Sequence, residues 1–293
     1  MRKFDSRFGP IPTRREFLRT AGATAAAYVA VACGLPSAAK ENTLSDKPSK
    51  YKFNLGVASY SFRTFDLEKT LNITKRLGLK YIAFKPDFHL PLNSSPEKIA
   101  EVVDLVKKAG LELYGGGVIY MNNEAEVNRA FDYAKAAGMK VIIGAPKHEL
   151  LPLIDQKVKQ YDIKVAIHNH GPGDNLYLTP ESVYEKIKDL DRRIGICNDV
   201  GHTMRAGVDP SISVERFPDR LFDVHFKDVT AANAKGQTIE VGRGVIDIPK
   251  FVRALVKINY AGVAAFEYEK DVDDPLPGLA ESVGYVRGVL ASV

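Results

Sequence analysis

Past residue 52 the hydrophobic positions of the chain switch repeatedly between two periods. Short apolar runs fall at 55–61, 81–84, 112–119, 140–143, 164–168, 194–199, 221–226 and 263–267, and their length and near-alternating character read as strands. Between them lie longer stretches, 67–77, 96–109, 124–137, 180–190, 249–258 and 277–290, whose apolar residues recur every three or four positions as on a helix with one buried face. Another helix is expected to begin near His148 and Glu149, which read as capping or surface residues. Ser95-Pro96-Glu97 and Thr179-Pro180-Glu181 place an N-cap before a proline at the first helical position. Gly78, Gly110 and Gly138 each close a helix just ahead of the next strand, as a residue that tolerates positive φ does.

Regular alternation of strand and helix implies a parallel sheet, since parallel neighbours need a crossover long enough to hold a helix. An open doubly wound sheet that binds nucleotides carries a Gly-rich turn after its first strand. Residues 60–66 carry none, and no Walker sequence occurs in the chain. The expected fold class is therefore α/β, a single-domain (β/α)8 TIM barrel over residues 53–293. In such a barrel the chemistry lies at the C-terminal ends of the strands, where side chains converge on the axis.

Four of the six histidines, His168, His170, His202 and His225, fall at or just past the ends of three predicted strands. Side chains two apart on a strand share a face. Val165 and Ile167 therefore point out to the helices while Ala166, His168 and His170 point in. By the same phase Val224 and Phe226 oppose His225, Phe266 opposes Glu267, and Asp199 shares its face with Gly195 and Cys197. Asp199, His225 and Glu267 make a mixed nitrogen and oxygen set suited to Mn, Co, Fe, Zn or Mg with positions left open for substrate. Such an ion polarises a carbonyl and eases removal of the neighbouring proton. Softer substrate candidates are Lys85, with Asp87 and His89 beyond it, Tyr120 and Asn122 after the third strand, and Arg243 in a Gly-flanked loop. Cys197 reads as a space-filling residue, and Glu269 shares the phase of Glu267.

The charge of the chain changes this picture only at its front. Residues 1–39 hold six basic and two acidic residues, a net of +4, leaving +1 of the chain's +5 for the rest. A nearly neutral barrel argues against nucleic acid as a partner, which needs a basic groove. Thr13-Arg14-Arg15-Glu16-Phe17-Leu18-Arg19 ahead of an Ala-rich stretch at 21–32 resembles a twin-arginine export signal. The resemblance implies that the twin-arginine export machinery is a partner and that the mature protein is periplasmic. Ser37-Ala38-Ala39 offers small residues for cleavage, and residues 40–52 read as a polar linker. A rival reading anchors the chain in the membrane through lipidated Cys33. After cleavage only Cys197 remains, so no internal disulfide is expected. A homo-oligomer is compatible with all of this.

Five motifs, Ala166-Ile167-His168-Asn169-His170, Asp199-Val200-Gly201-His202, Val224-His225-Phe226-Lys227-Asp228, residues 241–247 (VGRGVID) and Phe266-Glu267-Tyr268-Glu269, together resemble the sugar phosphate isomerase/epimerase family with its xylose isomerase-like barrel. That group includes inosose dehydratases and ketose 3-epimerases. The resemblance implies metal ligation by Asp199, His225 and Glu267, with His202 and Lys227 lining the substrate site. In one respect the chain departs from the pattern, since many of these epimerases carry a glutamate where His168 stands. Either His168 completes the metal set, as His168, Asp199, His225 and Glu267, or His168 or His170 is the base. His168, His170, Glu267 and Lys227 are accordingly the catalytic candidates. The activity expected is metal-dependent isomerisation or epimerisation of a keto-sugar or cyclitol, with a lyase or dehydratase acting on a 3-keto-sugar or glycoside as the alternative. A zinc phosphodiesterase and a non-catalytic sugar-binding protein are the remaining readings.

Overall fold

The computed structural model describes residues 51–293; the export segment at 1–39 and nearly all of the 40–52 linker lie outside the described residues. The barrel strands are β1 (Asn54–Ala58), β2 (Tyr81–Phe84), β3 (Glu112–Met121), β4 (Val141–Pro146), β5 (Lys164–His168), β6 (Ile194–Asp199), β7 (Leu221–Phe226) and β10 (Val263–Phe266). They close in the order β1-β10-β7-β6-β5-β4-β3-β2, and every barrel pairing is parallel. A two-stranded antiparallel ribbon, β8 (Asp228–Val229) and β9 (Thr238–Ile239), follows β7.

The helices are α1 (Leu67–Arg76), α2 (Pro96–Lys108), α3 (Glu124–Ala136), α4 (Leu151–Tyr161), α5 (Pro180–Ile187), α6 (Val200–Arg205), α7 (Pro210–Arg216), α8 (Ile248–Lys257) and α9 (Leu276–Ala291). Their starts follow the local chemistry. Ser95 accepts the Lys98 N–H ahead of Pro96, and Thr179 and Ser182 form a reciprocal capping box ahead of α5. Gly78 and its counterparts Gly110 and Gly138 adopt φ of 66°, 78° and 67° after their helices, the left-handed turn that glycine takes without strain.

The apolar residues divide into two layers as the strand phase predicts. Val165, Ile167, Val224 and Phe266 join the large cluster between barrel and helices. Ala83, Ala145, Ala166, Cys197 and Ala265 share the interior with Tyr114, Val118, Val141, Ile143 and Val263.

Several boundaries differ from the sequence pattern: β3 and β4 run on to Met121 and Pro146, and two elements stop early. The first strand stops at Ala58 because Ser59–Phe62 turns into a short 3-10 helix. Its Ser59 Oγ accepts the Lys85 N–H at 2.8 Å and its Ser61 Oγ accepts the Tyr268 N–H at 2.9 Å, tying the top of β1 to the segments after β2 and β10. Helix α5 ends at Ile187 rather than at residue 190.

Candidate active site

Register brings the polar strand ends side by side. Cα partners pair His168 with Cys197, Asp199 with His225, and His225 with Ala265, two residues before Glu267. One ligand atom from each of His168, Asp199, His225 and Glu267 lies within 4.8 Å of every other, the four residues selected from the sequence. His168 Nε2 is 3.2 Å from His225 Nδ1 and 3.5 Å from Asp199 Oδ2, and His225 Nδ1 is 3.4 Å from Glu267 Oε2. All four side chains are buried.

Local structure aims each one. Asp199 is the N-cap of α6, and its Oδ1 accepts the His202 N–H at 2.8 Å, which leaves Oδ2 toward the cluster. That oxygen is buried, accepts no well-aligned hydrogen bond, and has the Lys227 ammonium 3.0 Å away as its ionic partner. His225 is steadied from behind, where its Nε2 lies 3.4 Å from Asp223 Oδ2. Asp223 in turn accepts from Tyr114 Oη at 3.1 Å and Cys197 Sγ at 3.3 Å. Two imidazole nitrogens and two carboxylate oxygens converging in a dry pocket are a donor set that fits a divalent cation.

The electrostatics follow from burial and near neighbours. Burial pushes His168 down to about 3, helped by His170 and His225, so it is neutral and free to donate a lone pair. Burial also drives His202 down to about 4. Arg205 lies 3.2 Å from His202 Nδ1 and can only donate, so that ring carries its proton on Nε2. Burial opposes charge on His225, but its neighbours Cys197, Glu267 and Asp223 raise it well above its ordinary value, so a bound metal ion would have to displace its proton. The Cys197 thiol is raised by burial and stays neutral. Lys227 is likewise desolvated, yet its Nζ lies 3.0 Å from Asp199, 2.8 Å from Glu267 and 2.7 Å from Glu269, and these three carboxylates hold it as an ammonium ion.

Above the cluster opens a cleft of about 290 Å³ lined by Tyr60, Lys85, Phe88, Tyr120, His170, His202 and Glu269 among others. Four hollows elsewhere among the described residues are larger, about 340 Å³ beside α1, 570 Å³ beside α9, 320 Å³ beside α2 and 340 Å³ between the ends of α1 and α9, but none contains a histidine, and we place the site by chemistry rather than size. Lys85 donates to the Val118 carbonyl at 2.6 Å and pairs with Asp87 at 2.7 Å. Tyr120 Oη is 3.2 Å from His170 Nε2.

Other sequence candidates are not brought here. Arg243 pairs with Glu281 on α9 and lines the hollow there. Its loop is folded back because the Asp228 carboxylate accepts the N–H groups of Gly242, Gly244 and Ile246. His89 turns inward to the Thr70 hydroxyl at 2.9 Å, and Asn122 bonds Glu126 on α3. Sequence reasoning passed over Asp223 and Asp174. Asp223 shares the inward phase of His225 and was open to the same alternation argument. Asp174, 2.9 Å from His170 Nδ1, lies in a loop where no periodicity operates.

A family model for the xylose isomerase-like TIM barrel matches residues 66–289, most of the chain. The chain belongs to the xylose isomerase-like TIM barrel family. An inosose dehydratase of Lacticaseibacillus casei is 23% identical over 194 residues, which are 52% of this chain and 65% of that protein. The chain thus spans somewhat less than two thirds of that relative. Among solved members of this fold, a 3-keto-D-glucoside 4-epimerase from E. coli superimposes with a TM-score of 0.67 at 17% identity, over 81% of this chain and 100% of the other. An L-ribulose 3-epimerase gives 0.65 at 16% identity, over 82% and 95%. A zinc-bound IOLI protein gives 0.68 at 16% identity, over 82% and 99%. At these identities the structures establish the shared xylose isomerase-like fold.

Proposed function

We propose that this protein is a divalent-metal-dependent sugar isomerase or epimerase that removes a proton beside the carbonyl of a keto-sugar or cyclitol. The observation that carries the proposal is the convergence of His168, Asp199, His225 and Glu267 within 4.8 Å at the mouth of the barrel. The inosose dehydratase and sugar epimerases that share its fold support the substrate class.

A divalent ion held by these four residues would supply Lewis acidity to the substrate carbonyl. The chain supplies the rest. Lys227 fixes Glu267 and Glu269 in place and offsets part of the negative charge. His170 lines the cleft, and burial lowers its pKa, so near neutral pH it is an unprotonated imidazole able to accept the substrate proton. His202, with its proton on Nε2, can donate to a substrate oxygen. Tyr60, Phe88 and Tyr120 give the cleft apolar faces against which a sugar ring can rest.

The second reading, elimination from a 3-keto-sugar or glycoside, is favoured by His168. With an imidazole on β5 the site lacks a second carboxylate on that strand, so a symmetrical exchange between two glutamates has no partner for Glu267. A histidine base and a histidine donor suit proton removal followed by departure of a leaving group.

The test pairs elemental analysis with NMR in deuterated buffer over a panel of keto-sugars, 3-keto-sugars and inososes. Isomerisation or epimerisation incorporates deuterium at one carbon, whereas elimination yields an unsaturated product. In His225→Ala, bound metal and turnover should both vanish while the circular dichroism spectrum is retained. Full metal content and turnover in that variant would refute the proposal.

A further inference from the structure

The loop between β5 and α5 is organised around one carboxylate. Asp174 Oδ1 accepts the N–H groups of Leu176 at 2.5 Å and Tyr177 at 3.0 Å. The loop also closes on itself, with the His170 N–H donating to the Tyr177 carbonyl at 3.0 Å and the Asp174 N–H to the Gly171 carbonyl at 3.1 Å. From the neighbouring strand end, Tyr177 Oη donates to the Pro146 carbonyl at 2.8 Å and His148 Nε2 lies 3.1 Å from the Leu176 carbonyl. One oxygen of Asp174 is therefore spent on the loop, and the loop is held from outside. The other oxygen, Oδ2, lies 2.9 Å from His170 Nδ1.

A neutral imidazole has one N–H and one lone pair, and a carboxylate can only accept. Asp174 beside Nδ1 thus favours the proton there and leaves the lone pair on Nε2, the nitrogen 3.2 Å from the Tyr120 hydroxyl at the cleft. The approach is at contact distance but off the line of the ring N–H, an alignment that commonly tightens when substrate binds. The other histidines of the cleft are arranged differently. His202 has the Arg205 guanidinium against Nδ1, which forces the opposite tautomer, and His168 Nδ1 is buried without a partner.

We propose that Asp174 is a positioning residue that holds His170 in its Nδ1–H tautomer, so that Nε2 meets the substrate as the proton acceptor and the Tyr120 hydroxyl is its resting donor. This rests on the reading of His170 as the base. In the step concerned, the substrate C–H bond breaks, its proton forms the Nε2–H bond, its electron pair becomes the carbon–carbon double bond of an enolate, and the carbonyl π pair moves onto oxygen. The imidazolium so formed faces the Asp174 carboxylate.

Asp174→Asn separates the roles of the two oxygens. Leu176 and Tyr177 still present two N–H donors, so the amide oxygen must stay with them and the NH2 group must face His170 Nδ1. That contact turns Nδ1 into an acceptor and moves the ring proton to Nε2. The experiment is ¹⁵N NMR of uniformly ¹⁵N-labelled, zinc-loaded full-length protein, which reads the histidine rings and the backbone amides together and needs no substrate. The expected result is a switch of His170 from Nδ1–H to Nε2–H, with the Leu176 and Tyr177 amide signals in place. An unchanged tautomer with those amide signals in place overturns the inference, and so does a His170 already carrying its proton on Nε2 in the unsubstituted protein. Should the amide signals be lost, the same labelled spectra of the unsubstituted protein decide the question. Deuterium uptake by 3-keto-D-glucose is read alongside, with a loss of about 100-fold or more expected in both Asp174→Asn and His170→Gln. Full uptake in His170→Gln would sink the base reading while leaving the tautomer result to judge Asp174 by itself.

Discussion

Asp223 shows what one buried side chain does beneath the cluster. Its carboxylate gathers the Tyr114 hydroxyl, the Cys197 thiol and His225 Nε2 inside the barrel, and burial raises its pKa. Asp223→Ala removes the hydrogen-bond acceptor that the Tyr114 hydroxyl finds among the described residues and frees the His225 ring to turn. We expect a loss of about 1–3 kcal/mol in urea unfolding from the stranded hydroxyl. Metal affinity, measured by competition with a chelator, should fall about 10- to 100-fold as the His225 ring loses its backing. Unchanged affinity would mean that the ring is held by strand packing alone. At this scale the chain was partly legible. His168, Asp199, His225 and Glu267 could be selected because strand alternation assigns a face to each residue. Arg243 could not be placed, because its position depends on a carboxylate fifteen residues earlier in the chain folding the loop back.

Among the elements, α5 and β7 are joined at the barrel end opposite the cleft by Arg220. Its buried guanidinium donates to the carbonyls of Ile187, Lys188, Leu190, Asp191 and Ile194 at 2.6 to 3.4 Å. Carbonyls at a helix C-terminus have no partner within the helix, and here one planar fork satisfies several at once. Arg220→Ala should lower stability by about 3 kcal/mol or more, because each buried carbonyl left without a donor costs about 1–3 kcal/mol. Arg220→Lys should recover little of it, and metal content should be unaffected in either variant if the two ends are independent. Denaturant midpoints and elemental analysis read both effects. Most elements were legible from periodicity and caps. The short helices α6 and α7 were not, because six or seven residues are too few to establish a period, and α6 exists through its cap Asp199, a residue the sequence assigned to chemistry.

For the whole molecule, acid should act in part through carboxylates outside the cleft, beside Asp199 and Glu267 within it, which are also held well below their ordinary range. Hydrogen bonds from Arg193 hold Asp191 down at about 2. Burial pushes Glu240 up, but Lys270 and Tyr268 outweigh it and bring that group to about 2 as well. Unfolded carboxylates take up protons near pH 4, at about their ordinary values, so between there and pH 2 the unfolded chain binds more protons than the folded one. Their contribution is therefore complete above that range and is lost as the pH falls through it. Calorimetry from pH 7 to pH 2.5 should show the melting temperature falling below about pH 4, and an Asp191→Asn, Glu240→Gln double variant should flatten that fall. By itself the sequence determined the barrel, the order of its elements and the inward face of each strand, because 3.6- and 2-residue periods and helix caps are local properties. Tertiary structure alone decided which strand ends became neighbours, which oxygen of Asp199 turned to the cluster and to Lys227, and that Asp174 would face His170. Those outcomes depend on barrel closure and on loop hydrogen bonds between residues whose pairing no period encodes.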